Sequence, residues 1–124
     1  MKSTTLTIQG ELTDLNAYIK ALNNSRWGGN SIKQIETDRV CKEAHKAKVM
    51  PVTKYPVTIA YSWYCKDMRK DTDNVAFAKK FINDGLVSAK VIENDSRKFV
   101  AGFSDSFFTD KYNPRVEVTI YEKH

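Results

Sequence analysis

Residues 55–65 alternate strictly between two faces, and this pattern constrains the fold more than any other feature of the chain. A period of two residues indicates a β-strand, because successive side chains of a strand point to opposite sides. The chain therefore needs a sheet into which this strand fits. One face carries Tyr55, Val57, Ile59, Tyr61 and Trp63, and the other carries Thr58, Ala60, Ser62 and Tyr64.

The residues before the alternating strand predict one strand and two helices. Residues 4–9 are rich in β-branched side chains and predict the first strand. A first helix follows, for which Thr13 or Asp14 can serve as the N-cap. A loop over residues 23–30 then leads to a second helix from about Ser31 to Lys48. The apolar positions that recur at helical spacing in the first helix are Leu12, Leu15, Ile19 and Leu22.

The residues after the alternating strand predict a third helix and two more strands. The helix is expected to begin near Asn74, and one strand passes through Phe99, Ala101 and Phe103. The last strand covers residues 115–121, with Val116, Val118 and Ile120 facing inward. The order β-α-α-β-α-β-β favours an α+β fold, a mixed sheet with helices packed on it. A length of 124 residues, 41% of them hydrophobic, suits a single domain over residues 1–124. The buried stripe of the third helix is predicted to be Val75, Ala78, Phe81, Ile82, Gly85, Leu86 and Ala89.

The charge of the chain is unevenly distributed. The net charge is +5, and residues 1–70 carry twelve Lys/Arg against six Asp/Glu, whereas residues 71–124 carry eight against nine. A basic half suggests a polyanionic partner such as nucleic acid, because cations that neutralise phosphates release counterions. The alternative is a solvated surface that is basic without a specific partner.

The cysteine and histidine content argues against a disulfide-rich protein and against a zinc-binding protein. Cys41 and Cys65 are too few for a disulfide framework, and together with His45 and His124 they complete no zinc-binding spacing. No apolar run approaches the length of a membrane span, and the first residues are polar. We therefore expect a reduced, cytoplasmic protein without a membrane partner.

Two aspartates flank Thr72 between the alternating strand and the third helix. If this segment stays extended, Asp71 and Asp73 point to the same side, where their charges repel. A hard divalent cation removes that repulsion, and Mg²⁺ binds a few carboxylate oxygens while keeping several waters. The alternative interpretation is structural: Asp73 is placed to be the N-cap of the third helix, and Asp71 to be a solvated loop residue.

Two residues downstream are candidates for the same site. Asp95 could provide a third carboxylate, although a turn aspartate is the simpler interpretation of that position. Lys80 could face a phosphate or a positioned water, or it could be an exposed helix lysine paired with Asp84 one turn later.

These blocks together resemble the RusA-type Holliday junction resolvases of phages and prophages. The similar elements are Asp71-x-Asp73-Asn74, then Lys80 with Asp84-Gly85-Leu86, then Val91 to Asp95. The gap between Asn74 and Lys80 is about one helical turn longer than in the shortest members, which makes Lys79 a competing match for the family lysine. Lys80 is preferred because it stands four residues before Asp84. The resemblance spans about residues 6 to 122, and it departs from many relatives at Asn94, where they carry a second acid.

The resemblance implies a homodimeric, Mg²⁺-dependent endonuclease that introduces paired nicks into four-way DNA junctions, with Mn²⁺ as a possible substitute. Asp71, Asp73 and Asp95 match the metal-binding aspartates of the family, and Lys80 matches its catalytic-site lysine. Two active sites related by a two-fold axis suit a symmetric junction. If the chain is phage-encoded, the expected location is the cytoplasm of the host cell.

The basic first half would then lie along the DNA backbone, with contacts to phosphates and shape. Tyr18, Tyr64 and Trp27 could stack on unpaired bases at the crossover, but core packing is favoured for Tyr18 and stays open for Trp27. The residues predicted to contact DNA are Trp27, Lys33, Arg39, Lys42, Lys46, Arg69 and Lys70.

Two other hypotheses compete with the nuclease. The first is a basic module that binds branched DNA without catalysis. Its Asp73→Asn variant would bind junctions as well as the wild type does, and neither protein would show Mg²⁺-dependent nicking. An interaction protein whose acidic pair only caps a helix would show no salt-dependent affinity for branched DNA.

Overall fold

Four strands form one mixed sheet in the computed structural model, which describes residues 2–123. The strands are β1 (Ser3–Gln9), β2 (Val57–Cys65), β3 (Val100–Thr109) and β4 (Arg115–Tyr121). They lie in the order β1-β4-β2-β3. The β4 strand is antiparallel to both β1 and β2, and β3 runs parallel to β2 at one edge.

The helices are α1 (Leu15–Asn24), α2 (Arg26–Lys46), α3 (Thr72–Ala76) and α4 (Lys79–Ser88). The predicted α+β fold and its order β-α-α-β-α-β-β are confirmed, with α3 and α4 as two successive segments of the third predicted helix. No helix within residues 2–123 is both long and apolar enough to cross a bilayer.

The alternation in β2 separates a covered face of the sheet from an open one. Val57, Ile59, Tyr61 and Trp63 are buried, each at most 2% exposed, whereas Thr58 on the other face is exposed. The same period holds in the last strand, where Val116, Val118 and Ile120 face the core as predicted. One face of the sheet therefore packs on the helices, and the other is left open.

The β3 strand is exposed along most of its length. Only Val100 is buried, and most of the later residues are exposed, including Ala101 and Phe103. The physical reason is its place at the sheet edge, where β2 covers one side of the strand and the helices reach only part of it.

The prediction of a loop over residues 23–30 is wrong, because α2 begins at Arg26. Ser25 caps this helix, since its hydroxyl oxygen accepts a hydrogen bond of 2.9 Å from the Gly28 amide. A Cβ atom on Gly29 would collide with Leu22, so the two glycines let α1 and α2 pack closely instead of forming a turn. The second helix also ends earlier than predicted, at Lys46, and Lys48 follows with a φ of 54°.

The predicted apolar stripe of α1 is only partly correct. Asp14 is the N-cap, and its carboxylate accepts a hydrogen bond of 2.8 Å from the Ala17 amide. Leu12 is buried but precedes the helix, whereas Ile19 and Leu22 are 44% and 42% exposed. The inward side chain is Tyr18, whose ring lies 5.3 Å from that of Phe77, so the core packing favoured for Tyr18 is confirmed.

The contact between α2 and α4 depends on a glycine. A Cβ atom at Gly85 would lie 2.5 Å from Val40 Cβ and 3.0 Å from the Thr37 carbonyl oxygen. Alanine would improve helix propensity by about 1 kcal/mol, but overpacking of a core costs about 1–3 kcal/mol.

We therefore expect Gly85→Ala to lower the free energy of unfolding by about 1–2 kcal/mol, because steric overlap outweighs helix propensity. Urea denaturation followed by circular dichroism measures this change. Gly102→Ala is the matched control, since a Cβ atom there meets nothing within 4 Å. Equal stability of the two variants would contradict close packing at Gly85.

Candidate functional site

The acidic pair lies at the start of α3, shortly after β2 ends at Cys65. Asp71 is the N-cap residue, but its carboxylate makes no capping hydrogen bond. Asp73 lies in the first turn, and its Oδ1 accepts a hydrogen bond of 3.0 Å from the Asn74 amide. Both aspartates are exposed, so their remaining carboxylate oxygens are open to a ligand.

Two expectations for this pair are corrected. The helix begins at Thr72 and not near Asn74, so Asp71 and not Asp73 is the N-cap. The extended segment that would point both carboxylates to one side ends at Asp71, because the next residues are helical.

The acidic pair is held in place from both sides by residues in the connection between β1 and α1 and in the first turn of α1. On one side, Lys70 Nζ lies 3.0 Å from Asp14 Oδ2 and 3.4 Å from Glu11 Oε1. On the other side, Asn74 Oδ1 accepts a hydrogen bond of 2.9 Å from the Asn16 amide. Residues 71–73 are thus fixed at one end to the connection before α1 and at the other end to the first turn of α1, which positions the two aspartates.

The charges of the Lys70–Asp14 pair stabilise one another. Partial burial disfavours the charged form of both groups, but hydrogen bonds and the attraction between opposite charges outweigh this effect. The Ala17 amide and the Lys70 ammonium lower the pKa of Asp14, and the carboxylates of Asp14 and Glu11 raise the pKa of Lys70. A lowered carboxyl pKa contributes stability above the unfolded pKa, and that contribution is lost as pH falls through the folded pKa.

We expect Asp14→Asn to be less stable than the wild type at pH 7 by at most about 1 kcal/mol, because asparagine keeps the cap and removes only the charge. The difference should shrink as the pH falls through the lowered folded-state pKa of Asp14 and disappear once Asp14 is protonated in both states. Urea denaturation at several pH values measures it. A difference that persists in acid would assign the effect to the cap geometry and not to the ion pair.

Lys80 connects α4 to the loop that contains Asp95. Its Nζ lies 3.1 Å from Asp84 Oδ1 and 3.7 Å from Asp95 Oδ2. The hydrogen bond and charge of Asp84, followed by the charge of Asp95, raise the pKa of Lys80 above its ordinary value of 10.5. Lys80 therefore stays protonated at neutral pH and can donate hydrogen bonds or attract an anion, but it cannot accept a proton.

Lys79 is held inside a different cluster. Its Nζ lies 2.6 Å from Asp105 Oδ2 on β3 and 5.0 Å from the ring centre of Phe103. Trp63 Nε1 donates a hydrogen bond of 2.8 Å to the other oxygen of Asp105. Of the two adjacent lysines, Lys80 is the one that contacts a predicted site acid, and Lys79 is occupied by Asp105.

Three polar residues of this region were missed by sequence reasoning. Asn83 is buried and accepts a hydrogen bond from the Tyr61 hydroxyl, whose pKa is raised by burial and by the charges of Asp105 and Asp95. Asn16 anchors Asn74 through its backbone amide, which no side-chain pattern reveals. A signal for Asp105 does exist, since it is the only charged residue in a strand of apolar and small polar residues.

The predicted metal ligands are not gathered into a ready-made cage. Within residues 2–123, no group of three or more His, Cys, Asp or Glu side chains is arranged to hold a metal ion. Asp95 is instead directed to the Lys80 ammonium. The exposed carboxylates of Asp71 and Asp73 still suit Mg²⁺ chemically, because this ion is usually bound by one or two carboxylates, several waters and substrate phosphates.

The predicted DNA-contacting residues of α2 are divided by the structure. Lys33, Lys42 and Lys46 are exposed, but Lys33 and Lys42 are nine residues apart and point to opposite sides of the helix at 100° per residue. Arg39 is turned inward, where its guanidinium donates hydrogen bonds to the carbonyl oxygens of Gln9 and Glu11. Lys42 and Lys46 therefore share a free basic face, whereas Arg39 joins α2 to the end of β1.

The remaining residues predicted to contact DNA lie at the start of α2, just before the acidic pair and on β2. Trp27 is 81% exposed, which excludes the core packing that was left open for it. Arg69 is exposed and lies 3.7 Å from Asp67, whereas Lys70 is engaged by Glu11 and Asp14. Tyr64 lies on the open sheet face, stacked on Phe108 with Arg115 over its ring.

Compared with known proteins, the chain matches no protein-family model and shows no significant similarity to a curated protein.

Proposed function

We propose that this protein is a Mg²⁺-dependent endodeoxyribonuclease that cuts branched DNA, with four-way junctions as the substrate class. The observation that carries the proposal is the contact of Lys80 with Asp95 at 3.7 Å. Both residues are site candidates from separate blocks of the sequence, and the fold brings them within ion-pair distance of each other.

The acidic pair supports the same proposal. Asp71 and Asp73 are exposed, their segment is fixed at both ends by Lys70 and Asn74, and Asp71 leaves its carboxylate unused by the helix. A structural N-cap would use that carboxylate to accept a helical amide hydrogen bond. An anchored, exposed and uncapped carboxylate is a better arrangement for binding a cation than for stabilising a five-residue helix.

Asp71 and Asp73 would hold the Mg²⁺ ion, with a phosphate of the substrate completing its coordination. The bound ion would supply charge stabilisation on the phosphodiester and activation of water. Lys80, which stays protonated, would donate a hydrogen bond to the anionic phosphate. Asp84 and Asp95 orient that ammonium.

Basic residues around the site would contact the DNA backbone. Lys42 and Lys46 form the exposed basic face of α2, and Arg69 lies two residues before Asp71. Trp27, with 81% of its surface exposed, would stack on an unpaired base at the crossover. A homodimer would supply the two active sites that paired nicking requires, in the cytoplasm of the cell in which the chain is made.

A nicking assay tests the proposal directly. Wild-type protein is incubated with a labelled four-way junction and with a linear duplex of the same arms, each with Mg²⁺, with Mn²⁺ and with a chelator. We expect Mg²⁺-dependent nicks in the junction strands and little cutting of the duplex. Junction binding without nicking under any metal condition would support a non-catalytic basic module instead.

A further inference from the structure

We propose that β3 is the dimer surface, pairing in antiparallel fashion with β3 of a second copy so that two sheets become one. This deepens the proposed function, since it assigns the surface of the homodimer proposed there. Within residues 2–123, β3 pairs with β2 alone, so the backbone amide and carbonyl groups along its outer side are unpaired. A sheet edge with free backbone groups is a template for another strand.

The edge lacks the usual protection against such pairing. Its sequence, VAGFSDSFFT, contains no proline and no lysine, the residues that commonly blunt a free edge. Phe103, Phe107 and Phe108 are 50%, 37% and 46% exposed, which is a large apolar surface for one strand. A long exposed edge with three phenylalanines favours a covering strand.

The sequence of β3 is palindromic about Asp105, and this identifies the partner as a second copy. Residues 103–107 read Phe-Ser-Asp-Ser-Phe in both directions. In an antiparallel pair with its two-fold axis at Asp105, Phe103 faces Phe107 of the partner subunit, and Ser104 faces Ser106 of the partner subunit. Phe108 faces Gly102 of the partner subunit, a cross-strand pairing in which the aromatic ring covers the glycine. Each cross-strand contact is thus made twice.

The two faces of the sheet are consistent with this register. Phe103, Asp105 and Phe107 are aligned with Ile59, Tyr61 and Trp63 of β2, on the face covered by helices. Ser104, Ser106 and Phe108 are aligned with the open-face residues of β2. Phenylalanines therefore meet on the helical side, and serines meet on the open side.

The pairing must tolerate two aspartates at the two-fold axis. Like charges directly opposite each other are unfavourable, and an inward-pointing charge can discourage edge pairing. Each Asp105 is already paired with the Lys79 ammonium at 2.6 Å, and it accepts a hydrogen bond of 2.8 Å from the Trp63 indole N–H. The axis therefore brings together two ion pairs and not two free carboxylates.

The register predicts opposite effects for two double variants at the same exposed positions. Ser104→Lys with Ser106→Lys places lysine opposite lysine twice, and Ser104→Lys with Ser106→Glu places lysine opposite glutamate twice. We expect the first variant to have a dimer dissociation constant about tenfold or more above that of the second. Sedimentation velocity of the full chain over a range of concentrations measures both, with circular dichroism to confirm folding.

Several results would overturn the assignment: a wild-type chain that stays monomeric, two variants that dimerise equally, or two variants that are both monomeric. Hydrogen exchange of the wild type gives a second measurement that needs no substitution. The β3 amides should exchange more slowly as the concentration rises, and unchanged exchange would contradict the pairing. If the wild type dimerises but does not nick junctions, the proposed function alone is refuted. If the wild type nicks junctions and the two-lysine variant still dimerises as well as the wild type, the β3 surface alone is refuted.

Discussion

Asp73→Asn is expected to lower the rate of junction nicking by about a hundredfold or more while leaving junction binding intact or stronger. The substitution keeps the size and hydrogen-bonding ability of the side chain but removes one anionic ligand, and metal assistance to phosphodiester hydrolysis is worth several kcal/mol. Binding should not weaken, because a negative charge that faces DNA phosphates has been removed. Single-turnover nicking and electrophoretic mobility shift, at the same salt concentration, measure the two effects.

Asp67→Asn is the matched control for this prediction. Asp67 is four residues before Asp71, and its carboxylate contacts Arg69 and not α3. The Asp67→Asn variant should nick junctions at the wild-type rate. Its DNA affinity should rise slightly, as that of Asp73→Asn does, because one negative charge is lost. Wild-type nicking by Asp73→Asn would remove Asp73 from the site, and equal loss in both variants would indicate a general effect of charge near the DNA.

The parts of the fold that follow from side-chain periodicity were predictable. The faces of β2 and β4, the order of elements and the α+β class all depend on which residues must be buried. The short connection between α1 and α2 was not predictable. Its glycines, which usually indicate a turn, here lie in a helix capped by Ser25 and allow the two helices to approach closely. Such contacts depend on tertiary packing, which local propensity does not contain.

The candidate site was predictable as a set of residues but not as a geometry. Periodicity cannot tell where α3 begins, so the orientation of Asp73 relative to Asp71 was mispredicted. The inward turn of Arg39 depends on the carbonyl groups of Gln9 and Glu11, which are 30 and 28 residues away along the chain. Asp105 joins the region only through the parallel register of β3 with β2. The misses at Arg39 and Asp105 both concern contacts between segments that are distant in the sequence.

The adjacent lysines of α4 give the second large prediction, because the structure assigns them to different partners. Lys80 is 57% exposed and turned to Asp84 and Asp95, whereas Lys79 is 23% exposed and turned to Asp105. A cation that serves the reaction must reach a phosphate, and a cation that serves the fold must keep a partly buried carboxylate paired. Lys80 fits the first role, and Lys79 fits the second.

We expect Lys80→Met to lower nicking by about a hundredfold, as loss of one charge-stabilising donor commonly does, with little change in thermal stability. We expect Lys79→Met to keep nicking but to lower the free energy of unfolding by about 1–3 kcal/mol, because Asp105 then loses its cation in a partly buried position. Each variant is the control for the other, since both replace a lysine of the same helix by a side chain of similar length. Single-turnover nicking and thermal denaturation separate the two roles, and an inactive, fully stable Lys79→Met beside an active Lys80→Met would reverse the assignment.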